Sequence, residues 1–337
     1  MAEPPDLTVV VPMFNEGANV GPFFERLVPA LERLNLAYEI VCVDDGSRDD
    51  TLARLAEYAR RNPGVKVVAL ARNFGKEVAL SAGIDHASGA AVVPIDADLQ
   101  DPPELIEALV ERWREGYEVV YATRRTRQGE TWFKRFTANA FYRVLDRLTE
   151  VPIPRNTGDF RLIDRRVVDA LKRLPERTRF MKGLFAWVGF RQAQVLYDRE
   201  PRRAGRTTWS YWRLWNFALD GIAAFSSTPL KVWSYLGLAI SLCAFVYAAF
   251  LIGRTLLYGA DVPGYASLMV VILFLGGVQL VTLGVIGEYM GRIYTEVKGR
   301  PLYLVRERLG FEAEPETAPA RTPRSRAAGG RSPLAGR

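Results

Sequence analysis

Residues 7–16 read LTVVVPMFNE, an apolar β-branched run that ends in a proline and a polar turn. Four further runs of this kind follow, namely YEIVCV at 38–43, VKVVAL at 65–70, AAVVPI at 90–95 and YEVVYA at 117–122. Amphipathic stretches predicted to be helices separate them, at 21–34, 49–61, 76–87 and 103–115. This alternation predicts an α/β domain built on a doubly wound parallel sheet. Because the runs are continuously apolar, helices should cover both faces of the sheet.

Charge is distributed unevenly along the 337 residues, although the composition as a whole is ordinary for a globular protein. The stretch 232–286 carries only Arg254 and Asp261 as charges, which predicts two membrane spans at about 232–252 and 266–286. Lys231 precedes the first span and several Lys and Arg residues follow the second. Both ends should therefore lie in the cytoplasm and the connector outside.

Two segments next to the spans are predicted to contact the membrane. The helical stripe at 130–149 is apolar on one side and basic around it, so it lies either on a membrane surface or against the core with a solvated basic side. Aromatic residues cluster at 209–225, just before the first span. Aromatic belts of membrane proteins lie at this level, where the lipid meets water. The formal charge of +7 then indicates anionic lipid or phosphate as partner, and no nucleic acid.

These features predict five regions. Only two cysteines are present, Cys42 and Cys243, which is typical of a cytosolic catalytic part without disulfides. The residues beyond 311 are rich in Pro, Ala, Arg and Gly and are expected to be disordered. The predicted order is a cytoplasmic α/β domain at 1–208, a juxtamembrane amphipathic helix at 209–231, two transmembrane helices at 232–291, a cytoplasmic segment at 292–311 and a basic tail at 312–337.

An acidic cluster, Asp96-Ala97-Asp98-Leu99-Gln100-Asp101, comes directly after the run AAVVPI. Strand residues two apart point the same way, so Asp96 and Asp98 should face one side together. With the amide oxygen of Gln100 they form a hard oxygen cluster suited to Mg²⁺ or Mn²⁺. Such a metal would neutralise a departing nucleotide diphosphate. The alternative is a turn with helix-capping acids before Pro102.

The ends of the first two strands carry further polar candidates. Phe14 can stack on a base, Glu16 can accept from base edges or ribose, and Asp44 can accept from a base or ribose. In a doubly wound sheet these ends and the Asp96 end meet at one crevice. The alternative for each is a turn or helix cap, and Ser47 with Asp50 resembles a capping box.

Five motifs together resemble the inverting glycosyltransferases of family 2: residues 11–16, 44–47, 72–76, 96–102 and 158–161. Within that family the sequence is similar to the polyprenyl-phosphate glycosyltransferases over about residues 7–305. The resemblance implies a GT-A fold, a nucleotide diphosphate sugar donor, Mg²⁺ or Mn²⁺, and a homo-oligomer such as a tetramer. It assigns the metal to Asp96, Asp98 and Gln100, and the nucleotide sugar to Pro12, Phe14, Glu16, Asp44, Asp45, Lys76, Asp96, Ala97, Arg124 and Arg202.

The same resemblance places the catalytic carboxylate at Asp159, with Asp98 as the second catalytic acid. A phosphate monoester has a second pKa of about 6 and hardly needs deprotonation, so Asp159 would orient the nucleophile or take a residual proton. Its alternative is a loop aspartate that bonds its own backbone. Arginine forks would hold the anionic acceptor beside the anionic donor, and we assign this role to Arg127, Arg135, Arg199 and Arg206. A solvated charge is the default for any one of them.

Thr208 departs from the family's pattern, and the single histidine is a further residue to assign. Thr208 stands where the family usually has lysine, which removes one cation for the donor phosphates, and Arg203 or Arg206 is expected to compensate. His86 is the only histidine and is predicted to end a helix, with no catalytic role.

The sequence thus predicts inverting transfer of a hexose to a polyprenyl phosphate such as undecaprenyl phosphate, from UDP-glucose or, as the other donor, GDP-mannose. The protein would be a multi-pass protein of the bacterial plasma membrane. Two alternatives stay open: a glycolipid-forming enzyme with a diacylglycerol acceptor, and a non-catalytic membrane scaffold that binds nucleotide sugar. A processive polysaccharide synthase is excluded, because its additional spans and Gln-x-x-Arg-Trp motif are missing.

Overall fold

The computed structural model describes residues 4–125, 157–174, 176–177, 179–198, 228–258 and 264–311. Its centre is an eight-stranded sheet with the spatial order β7-β5-β6-β4-β1-β2-β3-β8. The strands are β1 Leu7–Met13, β2 Tyr38–Asp44, β3 Val65–Leu70, β4 Ala91–Pro94, β5 Val119–Arg124, β6 Thr157–Asp164, β7 Gln192–Tyr197 and β8 Val305–Leu309. All five predicted strands are confirmed.

The five predicted strands run in the same direction, as predicted, but the sheet as a whole is mixed, because antiparallel strands that were not predicted join it. Strands β4, β1, β2 and β3 are parallel neighbours, as are β5 and β7. Strand β6, however, is inserted antiparallel between β4 and β5, and β8 adds antiparallel to β3. Both antiparallel strands lie beyond residue 122, where the regular alternation of strands and helices ends. The result is a GT-A-like α/β fold.

Helices cover both faces of the sheet, as the continuous apolar runs predicted. Successive strand residues point to opposite faces, so Val9 packs with α1 and α4 while Val10 packs with α3, α5 and α6. The helices are α1 Gly17–Glu32, α2 Thr51–Arg61, α3 Lys76–His86, α4 Ile106–Arg114, α5 Arg165–Lys172 and α6 Met181–Trp187. The four predicted helices are confirmed, with a 3-10 turn at Pro103–Leu105 before α4.

The predicted position of His86 at the end of a helix is confirmed. It is the last residue of α3, and its ring nitrogen Nδ1 lies 2.7 Å from the carbonyl oxygen of Ala82. The ring also contacts Phe311 edge-on. His86 therefore lies at the opposite end of α3 from Lys76, the residue of that helix that contacts Asp96.

Two long helices follow the sheet domain, α7 Thr228–Tyr258 and α8 Tyr265–Val297. By length and composition, one helix in the described ranges can cross a membrane, through the stretch Val270–Val297 of α8. The described apolar stretch of α7, Tyr235–Tyr247, is shorter than a span requires. The two predicted spans are therefore confirmed as helices, while two membrane crossings are not confirmed.

Strand β8 brings the chain back from α8 to the edge of the sheet, which the sequence did not predict. It pairs with β3, and the amide of Ala71 donates to the carbonyl of Leu304 at 2.8 Å. The hydroxyl of Tyr303 also donates to Asp85 at 2.9 Å. The segment 292–311 is thus part of the sheet domain as well as the continuation of α8.

Several predictions lie outside the described residues. They concern the surface helix at 130–149, the aromatic segment at 209–225 and the tail at 312–337. The same holds for Arg127, Arg135, Arg199, Arg202, Arg203, Arg206 and Thr208.

Candidate active site

The carboxyl ends of β1, β2 and β4 meet at one edge of the sheet. Met13 is the register partner of Asp44, and Val10 is the partner of Pro94, two residues before Asp96. The turns that follow these strands therefore border the same crevice, as predicted from the doubly wound order.

The turn after β1 is tied to the loop after β2. Asn15 adopts a left-handed conformation (φ 55°), and its amide donates to Oγ of Ser47 at 2.9 Å. The amide of Glu16 donates to Oγ1 of Thr51, also at 2.9 Å. The capping-box alternative for Ser47 is wrong, because α2 begins at Thr51 without a side-chain cap. Phe14 is left 42% exposed at the rim of the crevice.

Asp44 presents one oxygen that has no partner in the part of the chain that the structure describes. Its side chain is fully buried, and Oδ1 accepts a hydrogen bond from the amide of Ser47 at 3.2 Å. Among the described residues Oδ2 has no hydrogen-bond partner. A buried carboxylate oxygen without a donor is costly, so this atom is suited to accept from a base or ribose.

Asp45 uses both of its oxygens inside the protein. Oδ1 accepts from the amide of Phe74 at 2.7 Å, and Oδ2 accepts from the amide of Gly75 at 2.9 Å. Burial, joined by the charge of Asp44, raises the pKa of Asp45 against the effect of these two bonds. The carboxylate therefore fixes the loop before α3, while its predicted contact with the nucleotide sugar stays a prediction.

Lys76 bridges two acidic residues from different strand ends. Its ammonium nitrogen lies 2.8 Å from both oxygens of Asp96 and 2.7 Å from Oδ2 of Asp159. Burial disfavours the charge of the lysine, but the two carboxylates outweigh it and raise its pKa above the ordinary value. Burial would likewise raise the pKa of Asp159, yet Lys76 and then Lys182 lower it, so Asp159 is ionised at neutral pH.

The acidic cluster itself forms a tight turn. Asp98 is buried, its Oδ1 accepts from the amide of Gln100 at 3.1 Å, and Leu99 is left-handed (φ 56°). No group of three or more His, Cys, Asp or Glu side chains in the described ranges is arranged to hold a metal ion. The predicted ligands are the carboxylates of Asp96 and Asp98 and the amide oxygen of Gln100, and Lys76 already places a cation on Asp96. By their chemistry these oxygens would suit a hard divalent cation.

A polar chain that the sequence analysis missed holds Arg124. The hydroxyl of Tyr197 donates to Asp101, and Nε of Arg124 donates to that hydroxyl at 3.3 Å. Arg124 and Tyr197 are register partners on β5 and β7. Burial and the neighbouring Asp101 raise the pKa of Tyr197 to about 12, so the hydroxyl stays a donor. Asp101 was visible in the acidic cluster, but no sequence signal paired it with Tyr197.

A second group of side chains that the sequence analysis did not identify surrounds Asp159. The guanidinium of Arg161 is buried over the ring of Phe185, 4.1 Å from its centroid, and donates to the carbonyl of Gly158 at 2.9 Å. Glu77 accepts from the amide of Met181 at 3.0 Å. Burial and the charge of Asp159 raise the pKa of Glu77 to about 7. Strand β6 and helices α3 and α6 thus enclose Asp159 in a charged cluster.

The sheet and its acidic strand ends are the arrangement that the predicted glycosyltransferase class would have, and the family comparison identifies that class. Residues 8–172 match the family described as "Glycosyl transferase family 2", and residues 228–293 match the "GtrB C-terminal hairpin". The chain belongs to glycosyl transferase family 2, as the sequence resemblance predicted, and it is an enzyme of that class.

Its relatives are similar over nearly their whole length. An uncharacterized glycosyltransferase of Synechocystis, sll0501, is 65% identical over 310 residues, which cover 92% of this chain and 98% of that protein. The bactoprenol glucosyl transferase of Shigella phage SfII is 47% identical over 301 residues, covering 89% and 97% respectively. Among solved structures, the mannosyltransferase PcManGT of Pyrobaculum calidifontis aligns with a TM-score of 0.46 at 20% identity, over 88% of this chain and 87% of that chain.

Proposed function

We propose that the protein transfers glucose from UDP-glucose to a polyprenyl phosphate in the membrane, with inversion at the anomeric carbon. The observation that carries this proposal is the buried, ionised carboxylate of Asp159 beside the acidic end of β4. The relatives named bactoprenol glucosyl transferases support glucose as the sugar and a polyprenyl lipid as the acceptor.

In the proposed reaction a phosphate oxygen of the lipid attacks the anomeric carbon. The bond from that carbon to the diphosphate oxygen breaks, and UDP leaves with the bonding electrons. The attacking phosphate is already ionised at neutral pH, so Asp159 orients it and accepts the proton of the fraction that still carries one. A single displacement of this kind inverts the anomeric configuration.

The donor is proposed to lie along the three strand ends. Phe14 stacks on the uracil ring, and Asp44 accepts from the base or ribose through its free Oδ2. Asp96, Asp98 and Gln100 hold Mg²⁺ or Mn²⁺, which supplies positive charge to the leaving diphosphate when bound. Arg124, oriented by Tyr197, adds a fixed cation on the same side.

The acceptor is proposed to approach from the membrane side of the domain. Arg127, Arg135, Arg199 and Arg206 supply the cations for its phosphate. Helix α8 provides an apolar stretch long enough to span a bilayer, and its end is tied to the sheet through β8. The catalytic domain at 1–208 would then lie on the cytoplasmic face, next to the phosphate of the lipid.

The test incubates detergent-purified protein with undecaprenyl phosphate, Mn²⁺ or Mg²⁺ and a panel of nucleotide sugars, and follows nucleotide release and the lipid product. An Asp98→Asn variant is the control. We expect UDP release from UDP-glucose only when metal and lipid phosphate are both present. Transfer to diacylglycerol instead, or binding of donor without turnover in folded protein, would overturn the proposal in favour of a glycolipid enzyme or a scaffold.

A further inference from the structure

Lys76 contacts the carboxylate that the proposed metal site needs. Its ammonium lies 2.8 Å from both Oδ1 and Oδ2 of Asp96, which are the oxygens that a divalent cation would use. An ammonium at this position and a metal ion on the same carboxylate would be two like charges in direct contact. The lysine and the metal therefore compete for Asp96.

The backbone of Lys76 is firmly held. Asp45 accepts hydrogen bonds from the two amides immediately before it, those of Phe74 and Gly75. Gly46, beside this carboxylate, is left-handed (φ 69°), and a Cβ there would come within 2.5 Å of the carbonyl carbon of Arg72. The chain entering α3 is thus locked against the loop after β2.

The side chain of Lys76, in contrast, has room to move. It is 44% exposed, and its four-carbon stem carries an ammonium with three rotatable donors. Its other partner, Asp159, is only 13% exposed and is enclosed by Arg161 and Glu77 on the far side. When the ammonium leaves Asp96, it can keep its bond to Asp159 or turn to an anion in the crevice.

We propose that Lys76 is an exchangeable counter-cation of the Asp96 carboxylate, which the incoming metal displaces and which then pairs with the diphosphate of the donor. The proposal rests on the proposed function, since it takes the metal to be carried by Asp96. It explains why an acidic strand end intended for a metal carries a lysine in contact with both of its oxygens. Metal binding alone is then opposed by the lysine, and binding together with an anionic donor is favoured.

The experiment measures Mn²⁺ affinity of the full-length, detergent-purified protein without nucleotide or lipid, by electron paramagnetic resonance of the free ion. Lys76→Met should bind Mn²⁺ about tenfold more tightly than the wild type, a typical size for coupling between two ligands of one site. Lys66→Met is the matched control, because Lys66 also pairs with a carboxylate, Glu39, but lies on β3 away from the crevice. It should leave the affinity unchanged.

Two further comparisons make the result decisive. If Lys76→Met unfolds, Lys76→Gln keeps a donor for Asp159 without the charge and should show the same gain. The gain must disappear in an Asp96→Asn background. Equal Mn²⁺ affinity in wild type and the Lys76 variants, or an equal gain without Asp96, overturns the proposal. The Mn²⁺ affinities do not depend on turnover, so they can be interpreted even if the transfer assay shows no product.

Discussion

Oδ2 of Asp159 lies 2.7 Å from the ammonium nitrogen of Lys76, while Oδ1 of the same carboxylate is buried without a hydrogen-bond partner among the described residues. One oxygen is therefore paired with a cation, and the other is buried with no donor among the described residues. A buried acceptor left in this way is costly. It is the natural place for a hydroxyl or a protonated phosphate oxygen to donate.

Replacing Asp159 by Asn should abolish most turnover. The amide cannot take a proton, and it presents a donor to Lys76 or to the acceptor, so we expect kcat to fall by ~10²–10⁴-fold. Donor affinity, measured by calorimetry, should change less than kcat, because Asp159 itself is not proposed to contact the base or the diphosphate. Asp169→Asn, an exposed acid on α5, is the control and should keep wild-type rates. Normal kcat in Asp159→Asn would refute the catalytic assignment.

Asp45→Asn should impair the enzyme through Lys76. An amide has one acceptor oxygen for two backbone amides, so one hydrogen bond is lost, at a cost of ~1–3 kcal/mol in the free energy of unfolding. The loop before α3 should loosen, and kcat should fall. In a double-mutant cycle with Lys76→Met the two effects on kcat should not add, because Asp45 is expected to act by fixing the backbone position from which Lys76 reaches the crevice.

Glu39→Gln is the control for that cycle. Glu39 is a buried carboxylate at the other end of β2, bonded to Thr8, Lys66 and Ser88. Its replacement should lower the melting temperature without altering kinetics in the wild-type or Lys76→Met background. Additive effects of Asp45→Asn and Lys76→Met on kcat would show that Asp45 acts otherwise.

Tyr197→Phe should weaken donor binding by releasing Arg124. The hydroxyl of Tyr197 links Asp101 to Nε of Arg124, and without it the guanidinium loses its fixed direction. We expect the KM for the nucleotide sugar to rise roughly three- to tenfold, equivalent to ~0.7–1.4 kcal/mol. Tyr38→Phe is the control and should leave KM unchanged, because Tyr38 begins β2 at the end of that strand away from the crevice. An unaltered KM in Tyr197→Phe would show that the polar chain is only structural.

The sequence was sufficient for the parts of the fold that repeat locally. The five apolar runs and the helices between them carry their own periodicity, so their positions and the meeting of three strand ends followed directly. Strands β6, β7 and β8 were not predicted. The pairing of β6 and β8 is decided by tertiary contacts: β6 inserts between strands that precede it, and β8 returns after two long helices. The direction in which a strand pairs with its neighbours does not change the apolar pattern of that strand's own sequence.

The site shows the same division. Residues that end strands, such as Asp44 and Asp96, were predicted because position alone brings them together. Side-chain partnerships were not, since Tyr197 meets Asp101 across 96 residues of sequence and Met181 meets Glu77 across 104. Asp45 was grouped with Asp44 because both lie at the end of β2, although the two carboxylates have different partners. Adjacent acids at a strand end need the loop geometry before their roles can be separated.

Glu77 should make stability depend on pH between about 4.5 and 7. Its pKa is raised from an ordinary 4.5 to about 7, first by burial and then by the charge of Asp159. Between these values the folded protein binds a proton that the unfolded chain has released, so stability falls as pH rises from about 4.5 to 7. Asp159 acts in the opposite sense and elsewhere, because its lowered pKa removes stability only as pH falls below 3.8.

Glu77→Gln removes the titrating group and keeps an acceptor for the amide of Met181. The groups that face Glu77 are Lys76, Asp159, Arg161 and Lys182, and none of them is altered by the change. Melting temperatures of wild type and variant, measured from pH 4.5 to 8, should therefore converge or cross, with the wild type losing stability relative to the variant as pH rises. Glu57→Gln, from an exposed pair on α2, should run parallel to the wild type. Parallel curves for Glu77→Gln as well would mean that Glu77 is ionised throughout, and that Lys76 and Lys182 outweigh its burial.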